Sequence, residues 1–148
     1  MIVLVHHGDA LGPDVDPMRP LSPLGRAATA RIAEIAAARD LRPDVVWHSG
    51  KLRARQTAEL YRRACNPLAT FGAVHGLQPD DPPAWMRDKL VDETRSIMLV
   101  GHMPHLPRLL ALLTGLRPGD PAPAFPLHGF VVLDREDDRW KEMWKESP

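Results

Sequence analysis

Histidine and arginine residues follow several predicted strands of this sequence. The residues at these strand ends are His6-His7-Gly8-Asp9, Ser49 with Arg53 shortly after it, and Gly101-His102. Because ligands of open parallel sheets bind at the carboxyl ends of the strands, we expect these side chains to converge. Imidazole and guanidinium groups beside a helix N-terminus suit a dianionic phosphate. The pattern therefore predicts a pocket around His7 and His102 that binds a phosphoryl group.

The elements that must position these residues alternate between strands and helices. The predicted strands are Ile2 to His6, Asp44 to Ser49, Leu68 to Phe71, Ser96 to Gly101, Gly129 to Asp134 and Arg139 to Lys145. Helices are predicted from Pro23 (capped by Ser22) to Asp40, from Lys51 to Cys65, from Pro83 to Val91, and after His102. This alternation predicts an α/β three-layer sandwich. We expect a mostly parallel central sheet, helices on both faces and an antiparallel C-terminal edge hairpin, all in one domain over residues 1–148.

Apolar residues at helical spacing predict which helix faces are buried. The stripe in the helix after His102 consists of Leu106, Leu109, Leu110 and Leu113, and that in the first helix of Ala28, Ile32, Ile35 and Ala36. Trp140 and Trp144 on the last strand are predicted to cover a hydrophobic edge or to join two subunits.

Composition excludes several classes of function. The 148 residues have a formal net charge of zero, so no global basic field favours nucleic acid or a membrane surface. Cys65 is the only cysteine, which excludes an intrachain disulfide and a cysteine zinc cluster. The sequence has neither a phosphate-binding G-x-x-x-x-G-K-[ST] loop nor a dinucleotide-binding G-x-G-x-x-G after a strand. No signal peptide or membrane span is recognisable, so a cytoplasmic location is expected.

Four blocks in order resemble the histidine phosphatase (phosphoglycerate mutase-like) superfamily. They are Leu4-Val5-His6-His7-Gly8-Asp9-Ala10, Arg19-Pro20-Leu21-Ser22-Pro23-Leu24-Gly25, Ser49-Gly50-Lys51-Leu52-Arg53-Ala54-Arg55-Gln56-Thr57-Ala58 and Leu99-Val100-Gly101-His102-Met103-Pro104. The short chain and the second block make it most similar to the compact SixA-like phosphohistidine phosphatases. This resemblance implies a metal-independent phosphatase that needs no cofactor. The implied substrate is phosphohistidine on a protein or another phosphomonoester.

The resemblance also implies a role for each matched residue. His7 would be the nucleophile that forms a phosphohistidine, with backbone groups near Gly8 holding its tautomer. Arg53 would bind two phosphoryl oxygens, and His102 would stabilise their charge. Arg19 would be a further clamp or, equally, a loop arginine that binds backbone carbonyls.

The general acid for the leaving group is left open by the sequence. Asp80 and Asp81 fall in the region where larger members of the superfamily carry a carboxylate, and Asp9 follows the nucleophile directly. A phosphohistidine substrate has an imidazole leaving group, for which a strong acid is unnecessary.

His6 departs from the superfamily, which places a phosphate-clamping arginine there. Histidine is shorter and carries little charge at neutral pH. Three outcomes follow: His6 works in its protonated form at mildly acidic pH, Arg19 covers the lost contact, or the site binds phosphate without turnover as a pseudo-phosphatase.

Two other classes of function compete with a phosphatase. A metal hydrolase would use His6, His7, His48 and His102, but the carboxylate ligands are not evident and Arg53 opposes a cation. A non-catalytic phosphate- or phosphoprotein-binding module is favoured by His6 and by the undefined acid. His105 is interpreted as a residue at the pocket rim, and His48, His75 and His128 as structural.

Overall fold

The computed structural model describes residues 1–117 and 119–148, which form six strands and four helices. In chain order these are β1 (Ile2–His6), α1 (Pro23–Ala38), β2 (Val45–His48), α2 (Leu52–Cys65), β3 (Thr70–Ala73), α3 (Pro83–Leu90), β4 (Ile97–Gly101), α4 (His105–Leu113), β5 (Phe130–Glu136) and β6 (Arg139–Glu146). None of these helices is long and apolar enough to cross a membrane, within the part of the chain described.

All six strands form one sheet in the order β3-β2-β4-β1-β5-β6. β3, β2, β4 and β1 run parallel, whereas β5 pairs antiparallel with β1 and with β6. The predicted α/β architecture with a mostly parallel sheet and an antiparallel edge hairpin is therefore confirmed. This order puts the carboxyl ends of β1, β2 and β4 side by side, with the start of β5 at the same edge.

Two hydrophobic cores lie on opposite faces of the sheet. One contains the inward residues of α1 and α2, such as Ile32 and Tyr61, packed on Val3, Val5 and their neighbours. The other contains α3 and α4 with the alternate residues of the same strand, Ile2 and Leu4. β1 is buried on both faces, as its continuous apolar run predicts.

The N-terminus of α1 is capped as the sequence predicts. The Ser22 hydroxyl accepts the Gly25 N–H at 2.9 Å, and Pro23 occupies the first helical position, where its missing N–H costs nothing. The same hydroxyl donates to Asp9 Oδ2 at 2.7 Å. The loop that follows β1 is thereby joined to the helix that covers it.

Some boundaries and faces differ from the prediction. β3 begins at Thr70 instead of Leu68, and α4 begins at His105, three residues after the strand-end histidine. In α1 the buried face is Gly25, Thr29, Ile32, Ala33 and Ala36, and Ile35 is 37% exposed. Gly25 and Thr29 belong to this buried face, where the helix packs closely against the loop after β1.

The two tryptophans of β6 lie on opposite faces of the sheet. Trp144 packs on the α1/α2 core, edge-on to Phe130, and Trp140 on the α3/α4 core. Residues four apart in a regular strand share a face, but the pairing shifts from Val132↔Trp144 to Leu133↔Glu142, so Met143 is an extra residue. This β-bulge turns the strand and lets one tryptophan cover each core.

Candidate active site

The site lies where β1, β2 and β4 end and β5 begins. His7 follows β1, Ser49 follows β2, and His102 follows β4, while Arg53 projects from the first turn of α2. The His7 and His102 ring centroids are 5.1 Å apart. The structure thus brings together the two histidines that the sequence predicts to converge.

His7 is held in one tautomer by the main chain. Its Nδ1–H donates to the Gly8 carbonyl at 2.7 Å, which leaves the lone pair on Nε2. Burial lowers the pKa of His7 to about 4, and the positive charges of Arg53, His128 and Arg19 add to this against the opposing effect of the Gly8 bond. The ring is therefore neutral at physiological pH, with a nucleophilic nitrogen available.

Gly8 has no room for a side chain. A Cβ there would lie 2.3 Å from Thr29 Oγ1 and 3.3 Å from the Gly25 carbonyl oxygen. The Gly8 N–H donates to Thr57 Oγ1 at 2.9 Å, and this hydroxyl donates to the Arg53 carbonyl at 2.8 Å. The loop carrying His7 is thus tied directly to the helical turn carrying Arg53.

His102 is buried with one ring nitrogen bonded and the other free. Nε2 lies 2.6 Å from Ser49 Oγ, and Nδ1 is buried without a hydrogen-bond partner. Ser49 Oγ also accepts the Lys51 N–H at 3.3 Å, which favours donation of its own proton to Nε2 and a proton on Nδ1 of the imidazole. Burial lowers the pKa of His102 to about 3, with His7, Arg53, Lys51 and His6 adding to the shift.

Two arginines supply positive charge to this neutral ring cluster. Arg53 Nε is buried without a partner, and burial followed by the charge of Arg19 lowers the pKa of Arg53. Arg19 adopts a φ of 50° and its Nε–H donates to the Leu11 carbonyl at 3.0 Å. Arg19 thus binds a backbone carbonyl, which is the second of its two predicted roles, and its charge helps to lower the pKa of Arg53 and of His7.

His6 lies against His7, with 4.4 Å between the ring centroids. Its Nδ1 accepts the His128 N–H at 2.8 Å, so the neutral ring carries its proton on Nε2. Burial lowers the pKa of His6 to about 3, and His7, His128 and Arg53 add to the shift. His6 is thus a neutral N–H donor, not the cation that the first of the three expected outcomes requires.

His128 is the site residue that sequence reasoning missed. Its ring stacks on His6 at 4.9 Å with 8° between the planes, and its Nδ1–H donates to the His7 carbonyl at 2.7 Å. It precedes an antiparallel strand, so it does not lie at the carboxyl end of a parallel strand, where functional residues are expected. The antiparallel edge hairpin predicted from the same sequence was the signal that could have located it.

The three candidate acids do not hydrogen-bond the site histidines or arginines. Asp9 Oδ2 accepts the Ser22 hydroxyl, Asp81 Oδ2 accepts the Gln78 N–H at 2.9 Å, and Asp80 is exposed. The site as described by residues 1–117 and 119–148 is therefore cationic, without a carboxylate bonded to its donors.

The remaining histidines fall outside the ring cluster. His48 Nδ1 accepts the Gly50 N–H at 3.0 Å and its ring packs on Phe71, while His75 stacks on Trp85. His105 is completely buried, so its interpretation as a rim residue is wrong. His105 is the first residue of α4 and lies on its buried face.

A metal site would use a different set of histidines from the predicted one. One ring nitrogen each of His6, His7 and His128 lies within 4.8 Å of the others. A metal ligand needs an unprotonated nitrogen, yet His6 accepts a backbone N–H on Nδ1 and carries its proton on Nε2. These hydrogen bonds suit an anion better than a cation, and Arg53 adds repulsion.

Comparison with solved structures extends over nearly the whole chain. A structure of the protein histidine phosphatase SixA complexed with tungstate superimposes with a TM-score of 0.84 and 24% identity, over 99% of this chain and 96% of that one. The putative phosphohistidine phosphatase SixA from Agrobacterium tumefaciens gives a TM-score of 0.81 with 26% identity, covering 99% and 97%. The chain has the fold of the histidine phosphatases.

More distant structures share the histidine phosphatase fold. A mycobacterial glucosyl-3-phosphoglycerate phosphatase with inorganic phosphate has a TM-score of 0.76 at 18% identity, covering 99% of this chain and 97% of that one. No family model and no curated protein matches the sequence. The predicted resemblance to SixA-like and phosphoglycerate mutase-like phosphatases is confirmed at the level of structure.

Proposed function

We propose that this protein is a metal-independent phosphatase that works through a covalent phosphohistidine on His7. The observation that carries this proposal is the arrangement of free nitrogens. His7 presents an unprotonated Nε2. Arg53 Nε and His102 Nδ1, which belong to the same site, are buried and have no hydrogen-bond partner. Buried polar groups rarely remain unpaired, so a ligand with several acceptor oxygens is the natural occupant.

The reaction follows from these groups in two displacements. In the first, the Nε2 lone pair of His7 forms a bond to phosphorus as the bond to the leaving atom breaks, and the leaving atom takes a proton from solvent. In the second, water forms a P–O bond and gives up one proton to solvent, the bond to His7 breaks, and inorganic phosphate leaves with the neutral imidazole restored. Arg53, His102 and His6 stabilise the charge on the phosphoryl oxygens in both displacements.

The electrostatics of the site support an anionic substrate. The protein has no net charge, yet Arg19 and Arg53 lie close enough to lower the pKa of His7. Each unit of positive charge near the ring stabilises a phosphoryl dianion in the low dielectric of a half-buried site. The attraction is therefore local to the pocket.

Phosphohistidine on a protein is the substrate class that we favour. The first two solved structures described above bear the names of protein histidine and phosphohistidine phosphatases, and each aligns with 99% of this chain. An imidazole leaving group also needs no strong acid, which suits a site without a bonded carboxylate. A small phosphomonoester is the other class, and it would require an acid that Asp80, Asp81 or Asp9 must move to supply.

Turnover and trapping of the intermediate test this function together. We expect hydrolysis of a phosphohistidine protein, and slower hydrolysis of p-nitrophenyl phosphate, between pH 5 and 8 with EDTA present. Rapid acid-free quenching should yield a phosphoenzyme that is labile to acid and maps to His7. The His7→Ala variant should lose both signals. Equal rates for this variant and the wild type, or loss of activity with EDTA, would contradict the proposal.

A pseudo-phosphatase is the second candidate, and the neutral His6 favours it. The ring supplies one uncharged donor where the superfamily has a cationic fork. Such a protein would bind phosphate or a phosphoprotein without turnover. Binding of inorganic phosphate with no His7-dependent hydrolysis of either substrate would distinguish it from the phosphatase.

A further inference from the structure

His128 makes three contacts with the histidines of the site. Its main-chain N–H donates to His6 Nδ1 at 2.8 Å, its ring Nδ1–H donates to the His7 carbonyl at 2.7 Å, and its ring lies parallel to that of His6. A φ of 57° at a residue with a Cβ is uncommon, and here both hydrogen bonds hold it. His128 is therefore held against His6 and His7 by the segment that precedes β5.

These bonds leave Nε2 of three adjacent rings for a ligand. The main chain occupies Nδ1 of His6, His7 and His128, and in the part of the chain described none of their Nε2 atoms has a partner. His6 Nε2 carries a proton and donates, whereas His7 Nε2 is unprotonated. His128 Nε2 is unprotonated in the neutral ring and becomes a charged donor when the ring takes a proton.

We propose that His128, as an imidazolium, binds a phosphoryl oxygen beside His6, so that the stacked pair replaces the arginine expected at position 6. This inference rests on the proposed function and extends it to a residue just before β5. The two rings together offer two N–H donors and one positive charge, which is what a guanidinium fork supplies. Neither ring alone supplies both donors, because the main chain occupies Nδ1 of each ring and leaves only Nε2 for the ligand.

Charged and titratable groups face His128 from several elements. From the end of β1 it faces His6 and His7, and the positive charge of Arg53 reaches the same rings. On its other side, Asp9 lines a cavity with His128, Gly8, Thr29 and Pro148, but Asp9 already accepts the Ser22 hydroxyl. A bound phosphate adds the negative charge that this cationic cluster lacks, so ligand binding and protonation of His128 favour each other.

Two substitutions separate ligand binding by His128 from mere positioning. In His128→Asn the amide N–H replaces Nδ1–H toward the His7 carbonyl, and asparagine tolerates a positive φ, but Nε2 is lost. In His128→Gln the amide reaches the position of Nε2 but cannot become charged. Both variants keep the backbone N–H that fixes the tautomer of His6.

Binding of inorganic phosphate, followed by calorimetry from pH 5 to 8, is the measurement. We expect the dissociation constant at pH 6 to rise about 10- to 100-fold in His128→Asn, as for loss of one charge-assisted hydrogen bond. His128→Gln should bind more tightly than His128→Asn, and both should lose the part of the pH dependence that His128 gives the wild type. Histidine NMR of the wild type should show protonation of the His128 ring on addition of phosphate.

Wild-type affinity and pH dependence in His128→Asn would overturn this inference, as would an unchanged His128 ring on addition of phosphate. Thermal unfolding of each variant shows whether a loss of phosphate binding comes from misfolding. If a variant is misfolded, the NMR titration of the wild type alone decides whether phosphate protonates His128. The proposed function fails separately, if His7→Ala leaves turnover unchanged. Phosphate binding that depends on His128 would stand even in that case.

Discussion

Main-chain groups determine which nitrogen of each site histidine carries the proton. The Gly8 and His7 carbonyls accept Nδ1–H from His7 and His128, and the His128 N–H donates to His6 Nδ1. A backbone partner cannot change its own protonation state, so these tautomers are independent of pH as long as the rings remain neutral. One ring is prepared as a nucleophile and its neighbour as a donor.

Much of this site could be predicted at the level of single residues. His7, Arg53 and His102 follow parallel strands, which is where ligands bind in such sheets, and the structure places them together. The tautomers could not be predicted because they depend on hydrogen bonds across the sheet. His128 contacts residues more than 120 positions away in the sequence, and no local pattern encodes such a contact.

The His6→Arg variant tests how far the histidine at position 6 lowers catalytic activity. We expect His6→Arg to raise kcat/KM for p-nitrophenyl phosphate, because a permanently charged fork replaces a neutral single donor. The pH–rate profile of the variant is the measurement. His75→Arg, an added charge at an exposed histidine stacked on Trp85, is the matched control. An unchanged profile in His6→Arg would show that position 6 does not contact the substrate.

At the scale of elements, α1 shows that helical periodicity alone does not predict which face of a helix is buried. Two overlapping sets of residues in α1 have helical spacing. The predicted buried face includes Ile35, whereas the observed one includes Gly25 and Thr29 instead. The observed face begins at Gly25, where a Cβ would lie 2.1 Å from the Asp9 carbonyl oxygen. Helix existence and ends follow from local signals such as the Ser22 cap, whereas the choice of face depends on close contact with a distant loop.

Gly25→Ala tests this close contact. Alanine normally favours a helix over glycine by about 1 kcal/mol, but here the clash with Asp9 outweighs the gain. We expect the free energy of unfolding in urea to fall by about 1–3 kcal/mol, the usual effect of overpacking. Gly72→Ala in β3, where a Cβ meets no atom within 4 Å, is the control and should leave stability nearly unchanged. Stabilisation by Gly25→Ala would contradict the packing described.

For the whole molecule, burial of several neutral histidines links stability to pH. Burial lowers the pKa of His6 and His102 from 6.5 to about 3 in the folded protein. Between these values the unfolded chain binds more protons than the folded one, so acid favours unfolding. The free energy of unfolding should therefore fall as the pH decreases from about 6.5, by up to about 1.4 kcal/mol per pH unit for each histidine.

Urea denaturation at pH 7, 6 and 5 measures this slope. His102→Asn and His6→Asn should each be less sensitive to acid than the wild type, whatever their stability at pH 7. His75→Asn replaces an exposed histidine and should retain the wild-type slope. Parallel slopes for all four proteins would mean that other groups control the acid response.

The central place of β1 also shapes how the molecule is made. This first strand lies between β4 and β5, so its partners are residues 97–101 and 130–133. A growing polypeptide must keep the apolar run Ile2–His6 unpaired until most of the chain has left the ribosome, and such long-range pairing is slow. A strand that is buried on both faces therefore pairs only after its partners from the second half of the chain are available. A chain interrupted before residue 128 would contain His7 but not the neighbour that stacks on His6 and holds the His7 carbonyl.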